Sequence, residues 1–267
     1  FCKAIKSRDS LRDSLRDSLL RSDIRLRGTI NPSSVAGLTQ ARGGTVVGYG
    51  AVRFFVEYAN QLVYVETTLI VPPTQAHQGT IFLWPGIQPG GVNFNPINNG
   101  VLQPVLTWGP SCAPGIQPPK YSTWWVSGEY VNTYGSLNGY TGCKGGQIMI
   151  VNPGDQLFMQ LQLRGTIWTQ TITNLRTNWA VNFSIDLLGQ SQNYLYFRIE
   201  QYGSTFVDDA VYLNSKWKFA RPSNQGCTLA FRGIKDFVST PQLSADGLSC
   251  SVVKIIQRAK ENPRPGF

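Results

Sequence analysis

Past residue 44 the chain breaks into short runs rich in β-branched and aromatic residues, each closed by Gly, Pro, Asn or Asp. That punctuation constrains the fold more than any other feature, because it leaves no stretch for a helix of ordinary length. "VRFFVEYANQLVYVETTLIVPP" reads as two strands around Ala59-Asn60, ending at Pro72-Pro73. After it come "TIFLWPGI", "GVLQPVLTW", "YSTWWVSGEYVN", "QIMIVNPGDQLFMQLQL", "TQTITNL", "WAVNFSIDL", "NYLYFRIEQYG" and "WKFARP". About a dozen strands with no internal helix predict an all-β, double-sheet antiparallel sandwich or jelly roll. The segment 85–100, "PGIQPGGVNFNPINNG", reads as a long surface loop.

The N-terminus has a different texture. "SRDSLRDSLRDSLLRSDIRLRG" repeats RDSL three times and sets Leu11, Leu15 and Leu19 four apart, on one helical face. The spacing predicts a basic amphipathic helical arm over 1–28, a β-sandwich domain over 29–258 and a flexible tail over 259–267. The formal net charge of +9 is partly local to that arm, where residues 1–27 hold eight Lys/Arg against four Asp. No nucleic-acid motif accompanies the charge, so a cationic surface is the simpler expectation and nucleic acid is not an expected partner. No run reaches the length of a transmembrane helix.

Five cysteines, Cys2, Cys112, Cys143, Cys227 and Cys250, are well separated, and the chain has a single histidine, His77. No metal site or cofactor is expected from such a set. The cysteines read instead as two disulfides plus Cys2 left over on the arm. Four cysteines allow three connectivities, of which Cys112–Cys143 with Cys227–Cys250 is the preferred one. Disulfides and the sequon Asn182-Phe183-Ser184 point to a secreted, extracellular protein.

Most catalytic constellations are missing. There is no GxSxG elbow, His77 sits in the turn-like "PTQAHQGT", and no phosphate loop fits. The strand carboxylates Glu57, Glu66, Glu129, Asp186 and Glu200 show no paired-acid spacing. Two polar strand residues stand out. Gln103 lies in an apolar run beside Pro104, and Glu200 ends "YLYFRIE", where alternation puts Tyr196, Arg198 and Glu200 on one face and Leu195, Phe197 and Ile199 on the other.

Over roughly residues 64–202 the ordered set "ETTLIVPPT", "GTIFLWPGI", "GVLQPVLTW", "YSTWWVSGEY", "VNPGDQLFMQL", "TITNLRT" and "YFRIEQY" resembles the glutamic peptidase (eqolisin) family, whose fold is a concanavalin-like double-sheet jelly roll. The resemblance implies a secreted endopeptidase with Gln103 and Glu200 as its catalytic pair and Trp84, Trp124 and Glu129 in substrate binding. Glu200 would take a proton from a bound water, and the Gln103 amide would donate to the developing oxyanion. A polypeptide would be the substrate. Gln88 and Val126 stand where the family carries acids. The alternative is a non-catalytic, lectin-like or structural jelly roll that binds glycan on Trp124, Trp125 and Tyr130, with Asn132 for hydroxyls.

Overall fold

The computed structural model describes residues 46–73, 79–90, 97, 100–111, 121–132, 137–202 and 208–258, all within one compact unit. The expected helical arm, the C-terminal tail, Cys2, His77 and Cys112 lie outside the described residues.

The described chain is all β apart from one 3-10 turn at Gln225–Cys227. The strands are β1 (Val46–Phe55), β2 (Leu62–Ile70), β3 (Thr80–Gln88), β4 (Val101–Trp108), β5 (Trp124–Asn132), β6 (Gly142–Gly145), β7 (Met149–Val151) and β8 (Gln156–Arg164). They continue as β9 (Ile167–Asn174), β10 (Trp179–Asp186), β11 (Tyr194–Tyr202), β12 (Ala210–Phe219), β13 (Leu229–Arg232), β14 (Phe237–Val238), β15 (Gln242–Leu243) and β16 (Ser249–Gln257). The first sheet runs β13-β1-β11-β3-β4-β5-β6, with β7 also on β5. The second runs β10-β9-β8-β2-β12-β16-β14, with β15 also on β16. Every described pairing is antiparallel.

One continuous core fills the space between the sheets. The first sheet sends in Leu83, Ile87, Leu102, Leu106, Trp108, Trp124, Val126, Tyr130, Leu195, Phe197 and Ile199. Leu157, Met159, Leu161, Trp168, Ile172, Tyr212, Trp217 and Val252 of the second sheet meet them. Period-two alternation then forces the residues between these onto the outer face of the first sheet. There Trp84, Val101, Val105 and Tyr196 form a second, smaller apolar cluster with Phe82 and Tyr194.

The segment expected as a loop from residue 85 begins later, because β3 runs on through Pro85 to Gln88. Proline in a central strand normally breaks a ladder. Here Leu83 pairs with Leu106 and Ile87 with Leu102, so Pro85 and Pro104 fall opposite each other. Each lacks an N–H, and one interruption between β3 and β4 serves both.

Cys227 and Cys250 form the expected disulfide, with Cα atoms 5.3 Å apart. Cys143 is also disulfide-bonded, and its expected partner Cys112 lies outside the described residues. No helix of the described residues is long and apolar enough to cross a membrane.

Candidate functional site

Gln103 and Glu200 both face outward from the first sheet, yet they do not meet. Glu200 is in register with Phe82, and Phe82 with Thr107, so the position on β4 aligned with Glu200 lies four residues from Gln103. Two strands of spacing and four residues of rise put their backbones about 10 Å apart across the sheet and about 13 Å along it. The residue of β11 in Gln103's own row is Tyr196, which pairs with Gly86. Gln103 and Glu200 thus share a face and stand in different rows.

Glu200 has its own neighbours. Arg198 Nε lies 3.9 Å from its Oε1, and the Tyr202 hydroxyl donates to Oε2 at 3.3 Å. Burial nevertheless raises its pKa above the ordinary carboxylate value, with Arg198 and Tyr202 pulling the other way. The Arg198 guanidinium lies 5.8 Å from the ring centroids of both Trp84 and Tyr196. It bridges the acid to the aromatic cluster.

Trp84 lies on the same outer face, beside Gln103. Gly86 has no side chain, and a Cβ there would come within 2.8 Å of the Trp84 ring and 3.1 Å of Gln103 Cβ. The indole therefore lies over Gly86, next to Gln103. Its N–H is buried and meets no acceptor among the described residues.

The carboxylate beside Gln103 is Glu129, its direct cross-strand partner on β5. Directly opposed residues hold their Cβ atoms about 5 Å apart, within reach of a shared water or carbonyl. Glu129 is only 2% exposed. Ser127 Oγ donates to its Oε1 at 2.9 Å and Ser111 Oγ to the same oxygen at 3.4 Å. Oε2 has no hydrogen bond among the described residues. Burial pushes the pKa up to about 7, against the two serine hydroxyls, which lower it. Neither serine was singled out from sequence.

Trp124, expected in substrate binding, points the other way. It is fully buried between the sheets and donates its indole N–H to the Pro73 carbonyl at 3.1 Å. Tyr130, nominated as a glycan platform, is in the same core. Trp125 is the outward-facing member of the tryptophan pair, and it is spent on the Gly109 carbonyl at 2.9 Å. Parity would have revealed this: counting back by twos from the polar Glu129 reaches Ser127 and Trp125. Among the described residues no cluster of three or more His, Cys, Asp or Glu could hold a metal ion.

No family model matches the sequence, and no curated protein matches it. Among solved structures the chain is similar to scytalido-glutamic peptidase bound to a peptide-based transition-state analogue, at 14% identity, 77% of this chain, 97% of that chain and a TM-score of 0.46. It is similar also to SCP-B, a member of the eqolisin family in complex with the tripeptide Ala-Ile-His, at 14% identity, 77% and 97% coverage and a TM-score of 0.42. A third likeness is the CBM2 module of the evolved Dit of Lactobacillus casei BL23 phage J-1, at 8% identity, 73% and 60% coverage and a TM-score of 0.36. Likenesses this loose assign no chemistry to the chain.

Proposed function

We propose that this chain is a secreted endopeptidase of the glutamic type, built on a double-sheet jelly roll, whose working pair is Gln103 and Glu129. The observation that carries the reading is the asymmetry at Glu129: among the described residues two serines anchor Oε1 while Oε2 makes no hydrogen bond, directly across from an amide that makes none either.

In this reading Oε2 of Glu129 accepts a proton from a water, whose oxygen attacks the scissile carbonyl carbon. The Gln103 amide N–H donates to the carbonyl oxygen as it becomes an oxyanion. Glu129 then returns the proton to the departing amine nitrogen. The free N–H of Trp84 adds a donor for the substrate backbone. Glu200, paired with Arg198 and Tyr202, shapes the far end of the face without handling protons. The disulfides agree with an extracellular setting. The lectin-like alternative loses support, since two of its aromatic platforms, Trp124 and Tyr130, are inside the core.

The test is digestion of a denatured protein substrate by the purified chain from pH 4 to pH 9, with new termini identified by mass spectrometry. A base must be ionised to act, so kcat/KM rises with pH through about 7. Glu129→Gln abolishes cleavage and Gln103→Ala lowers kcat by about 10²–10³. Glu200→Gln keeps most of the activity. Loss in E200Q with activity retained in E129Q would return the role to Glu200. Intact substrate at every pH would end the peptidase reading.

A further inference from the structure

We infer that Gln170, on the opposite sheet, is the positioning residue that fixes Glu129 in its working place; the inference rests on the reading of Glu129 as the base.

β9 presents Trp168, Gln170, Ile172 and Asn174 to the interior, all of them buried. A glutamine in that row is costly to bury unless both ends of its amide are satisfied. They are satisfied by a single residue. Gln170 Nε2 donates to the Glu129 carbonyl at 2.8 Å, and Gln170 Oε1 accepts from the Glu129 N–H at 3.3 Å. Of all the backbone within reach of β9, the amide holds the one residue whose side chain faces Gln103.

Gly128 is what permits the approach. A Cβ at this position would come within 2.8 Å of Phe183 Cβ and 3.2 Å of Gln170 Cβ and Oε1. The missing side chain lets the second sheet lie directly against the β5 backbone. Gly146 repeats the device on the chain beside β5, where a Cβ would meet the Asn182 carbonyl at 2.5 Å. The Glu129 backbone is thus held from behind by Gln170 and its carboxylate from the front by Ser127 and Ser111. Only Oε2 is left to move.

Among the described residues few charges complicate the carboxylate. β4 offers Gln103, β9 offers Gln170, and β5 itself offers Ser127. The charged residue of β6 is Lys144, which pairs with Tyr130 and so stands on the other face.

The experiment compares wild type with Gln170→Met, which keeps length and volume while removing both bonds, and Gln170→Glu, which can donate and accept like the amide only while protonated. Two readouts are taken: kcat and KM on a peptide substrate, and titration of the Glu129 carboxyl by NMR of glutamate labelled with carbon-13. In Q170M we expect kcat to fall about tenfold at unchanged KM, as lost alignment of the base implies. The Glu129 midpoint moves down as the loosened carboxylate gains water. Q170E recovers toward wild type as pH falls. Wild-type kcat and an unmoved midpoint in a folded Q170M would overturn the inference. If the wild type cleaves nothing, the peptidase reading fails, and the NMR titration of wild type against Q170M and Q170E still decides whether Gln170 holds Glu129.

Discussion

Glu129 carries a raised proton affinity that makes the stability of the fold depend on pH. Its pKa of about 7 in the fold lies above the ordinary carboxylate value of 4.5, so the folded form holds its proton more tightly than the unfolded chain. The contribution to stability is complete below the unfolded value and is lost as pH rises through about 7. From pH 4 to pH 8 the wild type therefore gives up as much as about 3 kcal/mol at this one position. Glu129→Gln, always neutral, abolishes that loss, so urea unfolding at pH 8 finds the variant more stable than wild type. A residue that weakens the fold at neutral pH and is nevertheless anchored by two serines is what a working carboxylate looks like.

At the scale of single elements, Asp155 shows the opposite balance. It sits in the turn between β7 and β8, accepts from the Asn152 N–H at 3.0 Å and from Asn174 Nδ2 at 2.7 Å, and pairs with Arg176 Nε at 2.6 Å. The Arg176 hydrogen bonds hold its carboxyl down to about 2. Its stabilising effect is present above the unfolded value and disappears as pH falls through about 2. Asp155→Asn unpins the β7–β8 turn from the β9–β10 hairpin and costs about 1–3 kcal/mol in thermal or urea unfolding. The elements were unevenly legible in the sequence. β2 through β5 and β8 through β11 could be read because each is a long β-rich run with a firm stop. β13, β14 and β15 have four residues or fewer, below what periodicity can register. β16 is long enough, and it was overlooked after "WKFARP". In β12 the inward parity switches from Ala210 and Tyr212 to Ser215 and Trp217 around Asn214, whose φ is 51°. No alternation rule anticipates such a slip.

For the whole molecule, what the sequence withheld was register. Face assignment needs only the parity of one strand, and parity set Glu200 on the face opposite Leu195, Phe197 and Ile199. Which residues stand shoulder to shoulder depends on how strands slide past one another. Glu129 is 26 residues from Gln103 in the chain and adjacent to it in the sheet. Gln170 is further still, on another sheet, and nothing local marks it. The Cys227–Cys250 bond works at this largest scale: Cys227 directly precedes the region of β13, at the edge of one sheet, and Cys250 lies in β16 of the other. It closes a separation of 23 residues, and Cys227→Ser with Cys250→Ser lowers unfolding stability by about 3 kcal/mol, measured against wild type under oxidising conditions.

The opposed prolines of β3 and β4 have a mechanical consequence. Between the Leu83–Leu106 and Ile87–Leu102 pairs no N–H from either proline ties one strand to the other, so the first sheet carries a crease at its centre. Trp84, Gly86 and Gln103 sit along it. The Leu83–Leu106 and Ile87–Leu102 pairs close the ends of this seam, and a change in the angle between the strands on either side would open or narrow the space above it. Bending there breaks no ladder bond of the prolines, because neither had one to give.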